Sequence, residues 1–418
     1  MTDAPVLATA EPSTARLARY LAVFGPGLVV MLADTDVGSV ITAGQSGVQW
    51  GYRLLLLQLL LVPILYVVQE LTVRLAIYTG RGHGELIRET FGPVWAWVSV
   101  TGLGIATLGA LLTEFAGVAG VGELFGIPRV ASLSLAAIGL LAIVLTGSYR
   151  RVERVAMAVG LFELAFFFVA WAAHPGLGAM LTGAADIPVH DPDYLYLAAA
   201  NIGAVIMPWM VFYQQSAIAD KRLGPQHLTV ARMDTAIGAV VTQLVMAAVL
   251  IACAATIGRT APGTSLDSVG AMSEALTPFL GHTAGRLLFG AGVLGAGMVA
   301  AIVVSLALAW GLGEVTGYRR SLEHHPLEAR WFYGIYALAV VAGAVLVAVW
   351  PNLVALNVGV QVMNALMLPL VLGFLIALAM RALPAAHRLR GPYLWLVIGV
   401  TAATCALGVW GGIAGALG

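Results

Sequence analysis

Charged residues are scarce in this sequence: lysine, arginine, aspartate and glutamate make up 10% of its 418 residues, whereas 60% are hydrophobic. Soluble globular domains carry about 25% charged residues, so this deficit excludes a water-soluble fold. The few charges cancel, with 21 basic and 21 acidic residues. An even balance removes the electrostatic case for nucleic-acid binding and for a polybasic membrane anchor.

Cysteine is also rare. The two cysteines, Cys253 and Cys405, both fall inside apolar segments, where they are best interpreted as small buried hydrophobic residues, and no disulfide framework is indicated. Residues 1–20 lack a basic region followed directly by a short apolar run and a small-residue cleavage site. We therefore expect a cytoplasmic N-terminal tail over residues 1–20 and no cleaved signal peptide.

Long apolar stretches are abundant. One bilayer crossing needs roughly 20 mostly apolar residues, and the sequence predicts eleven such spans joined by short loops. Their approximate cores are 22–46, 51–77, 95–123, 131–147, 155–173, 193–218, 235–258, 286–313, 331–350, 353–380 and 393–416. We predict one all-α transmembrane domain over residues 21–418.

The basic residues predict the orientation of these spans. If the N-terminus is cytoplasmic, seventeen of the 21 basic residues lie on the cytoplasmic side and four outside. This bias fits the positive-inside rule. The chain is therefore predicted to lie in the cell's inner (plasma) membrane, with its C-terminus outside.

The first span carries polar residues at a glycine-containing interruption, LADTDVGS, which places Asp34, Asp36, Gly38 and Ser39 near mid-membrane. Unwinding a membrane helix frees backbone carbonyls that need a partner in a protein-lined cavity, and a cation can supply one. A carboxylate beside freed carbonyls is typical of a site for a hard cation.

The sixth span carries a second interruption, IGAVIMPWM. Pro208 removes a backbone donor, so the carbonyl near Ala204 is predicted to lack its helical partner. A single interruption of this kind is more often a simple kink. Two interruptions five spans apart instead favour two inverted five-helix repeats, about 21–174 and 193–380, with an additional helix at about 393–416 and a transport site between the breaks.

At these residues the chain resembles the NRAMP family of divalent-metal transporters. Asp36-Val37-Gly38-Ser39 stands where the family has Asp-Pro-Gly-Asn, and IGAVIMPWM is similar to the sixth-helix motif that normally reads Met-Pro-His. The resemblance implies a leucine-transporter-like fold. It also implies metal ligands from Asp36, the Ala204 carbonyl, the Met207 thioether and Gln361 of the tenth helix, with Ser39 at the position of the family's asparagine ligand.

The chain departs from the family pattern at several tuning positions. Trp209 and Gln214 replace two sixth-helix histidines, and in the third helix Glu114 matches the first of two carboxylates while Gly117 replaces the second. All eight histidines are predicted to lie in loops or at segment ends. This pattern resembles the prokaryotic NRAMP-related branch associated with magnesium, whose ion prefers oxygen ligands and retained water.

The remaining polar groups have simpler interpretations. Glu70 and Arg74 lie four residues apart, which favours an intrahelical ion pair. Glu163 is a lone carboxylate that we interpret as a structural group hydrogen-bonded to a neighbouring helix, and Glu114 is interpreted in the same way. Asp34 either attracts cations or pairs elsewhere, and the sequence leaves both open.

The sequence therefore predicts a carrier of Mg²⁺, and also of Mn²⁺, into the cytoplasm without proton coupling. A proton-coupled Mn²⁺/Fe²⁺ importer is the alternative, and an ion-coupled carrier of organic solutes with the same fold is a more distant one. No arrangement of residues indicates an enzyme. We expect no cofactor, and the expected partners are the transported ion and the lipid bilayer.

Overall fold

The computed structural model describes residues 25–260, 266, 269, 272–273, 281–350 and 357–417. These residues form helices and no strand. The helices are α1 (Pro26–Asp34), α2 (Val37–Trp50), α3 (Leu55–Thr79), α4 (His83–Phe91), α5 (Pro93–Leu124), α6 (Arg129–Val144), α7 (Tyr149–Gly160), α8 (Ala165–Ala172), α9 (Leu177–Ala185), α10 (Pro192–Val205), α11 (Pro208–Asp220), α12 (Leu228–Ala255), α13 (Ile257–Thr260), α14 (His282–Thr316), α15 (Arg330–Val349), α16 (Asn357–Arg381) and α17 (Gly391–Leu417).

Within the described residues, nine helical stretches are long and apolar enough to cross a bilayer, and α1 and α2 together form a tenth span. The helix α6 has 16 residues, fewer than the roughly 20 that a crossing needs. The all-helical fold is as predicted, whereas the count of eleven, with α6 as the fourth span, stays a prediction. The two repeats and the additional helix stay predictions as well, and the tail over residues 1–20 lies outside the described residues.

The first break lies between α1 and α2, whose axes are bent by 48°. Thr35 and Asp36 separate the two helices, and the backbone of Asp36 is extended. The carboxylate Oδ1 of Asp36 accepts a hydrogen bond of 2.6 Å from the backbone N–H of Ser39. Asp36 is therefore the N-cap of α2, which explains why the second half-helix starts where it does.

The second break lies at Ile206 and Met207, which have extended backbones between α10 and α11. Proline has no N–H, so Pro208 cannot donate to the carbonyl of Ala204, four residues earlier. The two half-helices nevertheless continue as one span, Pro192–Asp220. The second interruption thus frees the Ala204 carbonyl, and the helix axis bends less there than at the first interruption.

The start of α1 is held by a carboxylate of α12. The carboxylate of Asp234 accepts hydrogen bonds from the backbone N–H groups of Gly25 at 3.1 Å, Gly27 at 2.8 Å and Leu28 at 3.1 Å. These N–H groups have no partner within the helix, since they belong to its start. One buried side chain therefore caps α1 and fastens it to α12.

We expect Asp234→Asn to lower the free energy of unfolding by about 1–3 kcal/mol, because an amide cannot accept all three bonds and turns its own N–H₂ towards backbone donors. Thermal unfolding in detergent measures this. The matched control is Asp193→Asn, at an exposed position near the start of α10. Equal stability losses in the two variants would contradict the capping role.

Candidate metal site

The carboxylate of Asp36 lies at the centre of the candidate site and is fully buried. Its Oδ1 atom accepts the bond from the Ser39 N–H and lies 3.5 Å from Nε2 of Gln361. Its Oδ2 atom accepts no hydrogen bond from a described N–H or hydroxyl group, and the Glu114 carboxylate lies beside the Asp36 carboxylate. None of the ion pairs among the described residues includes Asp36, so a cation can balance its charge.

Ser39 connects the two helix breaks. Its hydroxyl Oγ donates a hydrogen bond of 3.0 Å to the carbonyl oxygen of Ala204, the acceptor that Pro208 leaves without a helical donor. A carbonyl oxygen has a second lone pair, so Ala204 can accept this bond and still face a cation. The two breaks, far apart in sequence, therefore meet at Ser39 and Ala204.

Gln361 on α16 contributes the amide of the site. Its Oε1 atom accepts a hydrogen bond of 3.0 Å from Nδ2 of Asn364, one turn later on the same helix. This bond orients the amide so that Nε2 faces Asp36. In this orientation Gln361 donates towards the carboxylate, and a rotation of the amide would present an oxygen to a metal instead.

The other proposed residues lie around this centre. Met207 is fully buried in the second break, three residues after Ala204. Gly38 leaves room for the Gln361 amide, and the Gly117 backbone contacts the Val37 side chain, where any larger residue would overlap.

The two sixth-span residues that stand in place of the family's histidines have different surroundings. Gln214 donates a hydrogen bond of 2.8 Å to the Thr235 hydroxyl, and Trp209 is buried with its indole N–H unpaired among the described residues.

Glu114 approaches the site from α5. Its Oε2 atom accepts a hydrogen bond of 3.1 Å from the Val37 N–H, and Oε1 accepts one of 3.0 Å from the Thr113 hydroxyl. The Glu114 carboxylate also lies beside that of Asp36. It is therefore a hydrogen-bonded group, as interpreted from the sequence, and it is also a direct neighbour of the proposed metal ligand.

Several polar contacts near the site were missed by the sequence reasoning. Asn201 accepts a 2.5 Å hydrogen bond from the Gln58 amide and donates a 2.8 Å bond to the Ser46 hydroxyl, which joins α10, α3 and α2. Gln45 accepts a bond of 2.7 Å from the Leu266 N–H. The asparagine in ANIGAVIMP is a polar residue inside a membrane span just before the second break, and it could have indicated a contact between helices there.

The site is closed in this conformation. None of Asp36, Ser39, Ala204, Met207 and Gln361 is more than 1% exposed. Among the described residues, no three His, Cys, Asp or Glu side chains converge as a metal cluster. The candidate site thus offers one carboxylate together with neutral oxygen and sulfur donors. Such a set suits an ion that binds and is then released, because transport requires binding weak enough for the ion to leave.

One imidazole is buried among the described side chains. His83, at the start of α4, is 1% exposed and its Nδ1 atom lies 3.0 Å from the Gln215 Oε1 atom. Burial lowers the pKa of His83 to about 4, against an opposing effect of the Gln215 hydrogen bond. His83 is therefore neutral at physiological pH, and it lies at a helix end, as the sequence predicted for the histidines.

Two of the remaining acidic groups differ in how they are paired. Glu70 forms the predicted ion pair with Arg74 at 2.8 Å, and also pairs with Arg232 of α12 at 2.5 Å. Glu163 faces the Thr35 hydroxyl in the first break, but neither of its carboxylate oxygens accepts a hydrogen bond of regular geometry, so its interpretation as a structural hydrogen-bonded group stays a prediction.

These features define a multi-pass helical membrane protein in which two interrupted helices enclose a buried acidic site. Residues 27–414 match the family model described as Nramp, natural resistance-associated macrophage protein-like. The chain belongs to the Nramp family. The predicted family resemblance is thereby confirmed, while the magnesium-associated branch stays a prediction.

Sequence relatives carry consistent names. The chain is 29% identical over 309 residues to the divalent metal cation transporter MntH of Agrobacterium fabrum, which covers 71% of this chain and 67% of the relative. It is 31% identical over 315 residues to MntH of Aeromonas hydrophila, covering 72% and 75%. These relatives are named as metal transporters and not as enzymes.

Solved structures agree on the fold. The manganese transporter of Eremococcus coleocola matches with a TM-score of 0.76 at 19% identity, over 100% of this chain and 90% of that one. The nucleobase-cation-symport-1 family transporter Mhp1 matches with a TM-score of 0.57 at 15% identity, over 94% and 91%. The predicted leucine-transporter-like architecture is confirmed by these matches.

Proposed function

We propose that this protein carries divalent metal cations across the plasma membrane into the cytoplasm, with Asp36, Ser39, Ala204, Met207 and Gln361 as the ligand residues. The observation that carries the proposal is the position of the buried Asp36 carboxylate at the first helix break, where it bonds to the Ser39 N–H while the Ser39 hydroxyl donates to Ala204 at the second break. A divalent cation at this position balances the charge of the carboxylate and is coordinated by the freed carbonyl oxygen of Ala204. The predicted orientation, with the N-terminus cytoplasmic and the C-terminus outside, belongs to this proposal.

Manganese is the ion that the available observations favour. The relatives are named as divalent metal cation transporters and the structural neighbour as a manganese transporter. Met207 lies in the second break, and its thioether is a softer donor that Mg²⁺ does not use. Both points support Mn²⁺ over the Mg²⁺ substrate that the sequence departures suggested.

Magnesium remains the second candidate because of Ser39. The serine hydroxyl is shorter than the amide that the family pattern has at this position, and its hydrogen is directed at Ala204. A smaller side chain leaves space for a metal that keeps part of its water, as Mg²⁺ prefers.

Uptake into proteoliposomes tests the proposal. Full-length protein should give saturable Mn²⁺ entry, measured with an internal metal-sensitive dye, that protein-free liposomes lack. Competition by external Mg²⁺ then ranks the two ions: weak competition supports manganese and strong competition supports magnesium. The absence of saturable entry for either ion, from protein that is folded and inserted, would refute transport.

The replacement Ser39→Asn tests the selectivity argument. The longer amide reaches a bound metal directly and displaces water, so we expect Mg²⁺ to compete less well against Mn²⁺ uptake than in the wild type. The half-inhibitory Mg²⁺ concentration is the measurement. The control is Ser134→Asn, the same change at an exposed serine of α6. Unchanged or stronger competition in Ser39→Asn would show that the size of this side chain does not set selectivity.

Proton coupling belongs to the same proposal. The prediction of uncoupled transport relied on Trp209 and Gln214 in place of the sixth-helix histidines and on Gly117 in place of the second third-helix carboxylate. In the structure, Glu114 adjoins Asp36, and Asp34 and Glu163 act electrostatically on the same region. This supply of buried acids supports the alternative, a proton-coupled Mn²⁺ importer, over uncoupled Mg²⁺ transport.

A further inference from the structure

Two further buried carboxylates lie beside the first helix break. Asp34 is the last residue of α1, and Glu163 lies in the 3₁₀ turn Leu161–Leu164 between α7 and α8. Their side chains are 1% and 0% exposed. None of their four carboxylate oxygens accepts a hydrogen bond of regular geometry from a described residue.

Glycines bring the helices that carry these acids into close contact. A Cβ atom at Gly160 would lie 2.8 Å from the Leu32 side chain, and one at Gly295 of α14 would lie 2.8 Å from the Val159 carbonyl oxygen. Gly160 precedes Glu163 by one turn, and Leu32 precedes Asp34 by two residues. The end of α7, which leads into the turn that holds Glu163, is therefore packed directly against α1.

Two threonine hydroxyls lie between the acids. The Oγ1 atoms of Thr35 and Thr242, the latter on α12, are 2.6 Å apart. The Glu163 carboxylate lies beside Thr35, and the Asp34 carboxylate lies beside Thr242. Oxygen atoms from α1, the 3₁₀ turn and α12 therefore lie close together. Met207 and Gln361, the thioether and amide side chains of the Asp36 ligand set, are not part of this group.

No basic side chain of the described residues pairs with these two acids. None of the ion pairs among the described residues includes Asp34 or Glu163. The C-terminal end of α1 adds the partial negative charge of its terminal carbonyl groups. An unpaired carboxylate in the membrane interior is strongly unfavourable, and two of them beside a helix C-terminus attract a cation.

We propose that Asp34, Thr35, Glu163 and Thr242 form a second cation site, distinct from the Asp36 ligand set, that binds a hard cation, Na⁺ or Mg²⁺, through oxygen atoms alone. Carboxylate and hydroxyl oxygens suit such cations. The bound ion joins the end of α1 to the 3₁₀ turn and to α12, and so stabilises the closed arrangement around the first break.

Cation-dependent thermal unfolding of the full-length protein in detergent tests this site. NaCl or MgCl₂ replaces choline chloride at constant ionic strength, and a cation bound only to the folded state raises the unfolding midpoint. We expect one of the two salts to raise the midpoint of the wild type. Asp36→Asn should keep that shift, and Glu163→Gln should lose it. The salt that acts identifies the ion.

A second variant guards against misfolding of the first. Thr242→Val removes one hydroxyl at nearly constant volume and should weaken the shift, whereas Thr401→Val, the same change on α17, should leave it intact. The site is refuted if neither salt stabilises the wild type, since the acids would then hold protons only, or if Glu163→Gln and Thr242→Val respond as the wild type does. Because the readout is binding in detergent, this result is independent of whether the protein transports metal.

Discussion

Proteoliposomes that contain the Asp36→Asn variant are expected to show no saturable Mn²⁺ or Mg²⁺ entry above the rate of protein-free liposomes. Asp36 is the carboxylate in the first break that contacts both Ser39 and Gln361. Without its negative charge, a divalent cation would have to leave water for a set of neutral donors, which is strongly unfavourable inside a membrane.

The choice of asparagine separates the loss of charge from the loss of the helix cap. Asp36 caps α2 through the Ser39 N–H, and an asparagine oxygen accepts the same bond. We expect Asp36→Asn to unfold close to the wild-type temperature, while Asp36→Ala should lose about 0.5–2 kcal/mol of stability as well as flux.

An exposed aspartate provides the control for this experiment. Asp186→Asn removes a carboxylate that pairs with Arg53 at the surface and should leave metal entry unchanged. Wild-type flux from well-folded Asp36→Asn would place the metal site elsewhere in the protein.

Local chemistry made the two breaks predictable from the sequence. A proline in an apolar stretch deprives the carbonyl four residues earlier of its donor wherever the helix packs, so Pro208 pointed to Ala204 without any knowledge of the fold. Asp36, Gly38 and Ser39 in an apolar stretch indicated an interruption of the first span in the same local way. The family resemblance then supplied Gln361, which no local rule would have selected.

Contacts between helices were out of reach of the same reasoning. Asp234, Asn201 and Gln58 each lie in an apolar stretch, and their partners are more than a hundred residues away in the chain or at the start of another helix. Helix periodicity tells which residues share a face, but it does not tell which helix that face meets.

The same limit applies to Glu163. Its most economical interpretation is a hydrogen bond to a neighbouring helix, because buried polar groups are almost always satisfied. The structure places the Thr35 hydroxyl and the Asp34 carboxylate beside Glu163, and Thr35 also bonds to Thr242. That a second carboxylate lies next to Glu163 is visible only once the packing is known.

Mn²⁺ entry through the wild-type protein is expected to acidify the proteoliposome lumen, and Glu114→Gln is expected to abolish that acidification. The Glu114 carboxylate adjoins Asp36, and the positive charge of a divalent cation bound at Asp36 favours the loss of a proton from it. Glu114 is therefore the nearest group that can release a proton as the metal binds. Glutamine keeps the shape of the side chain and its acceptor oxygen but cannot take up a proton.

An internal pH-sensitive dye reports the acidification, with Mn²⁺ entry followed in parallel on the same vesicles. Glu123→Gln, on the same helix α5 but exposed and paired with Arg129 at 2.8 Å, should acidify as the wild type does. An imposed inward proton gradient should also accelerate Mn²⁺ accumulation in the wild type and not in Glu114→Gln. Metal entry without acidification in the wild type would instead support the uncoupled transport that the missing third-helix carboxylate suggested, and would leave Glu114 as a structural partner of the Val37 N–H.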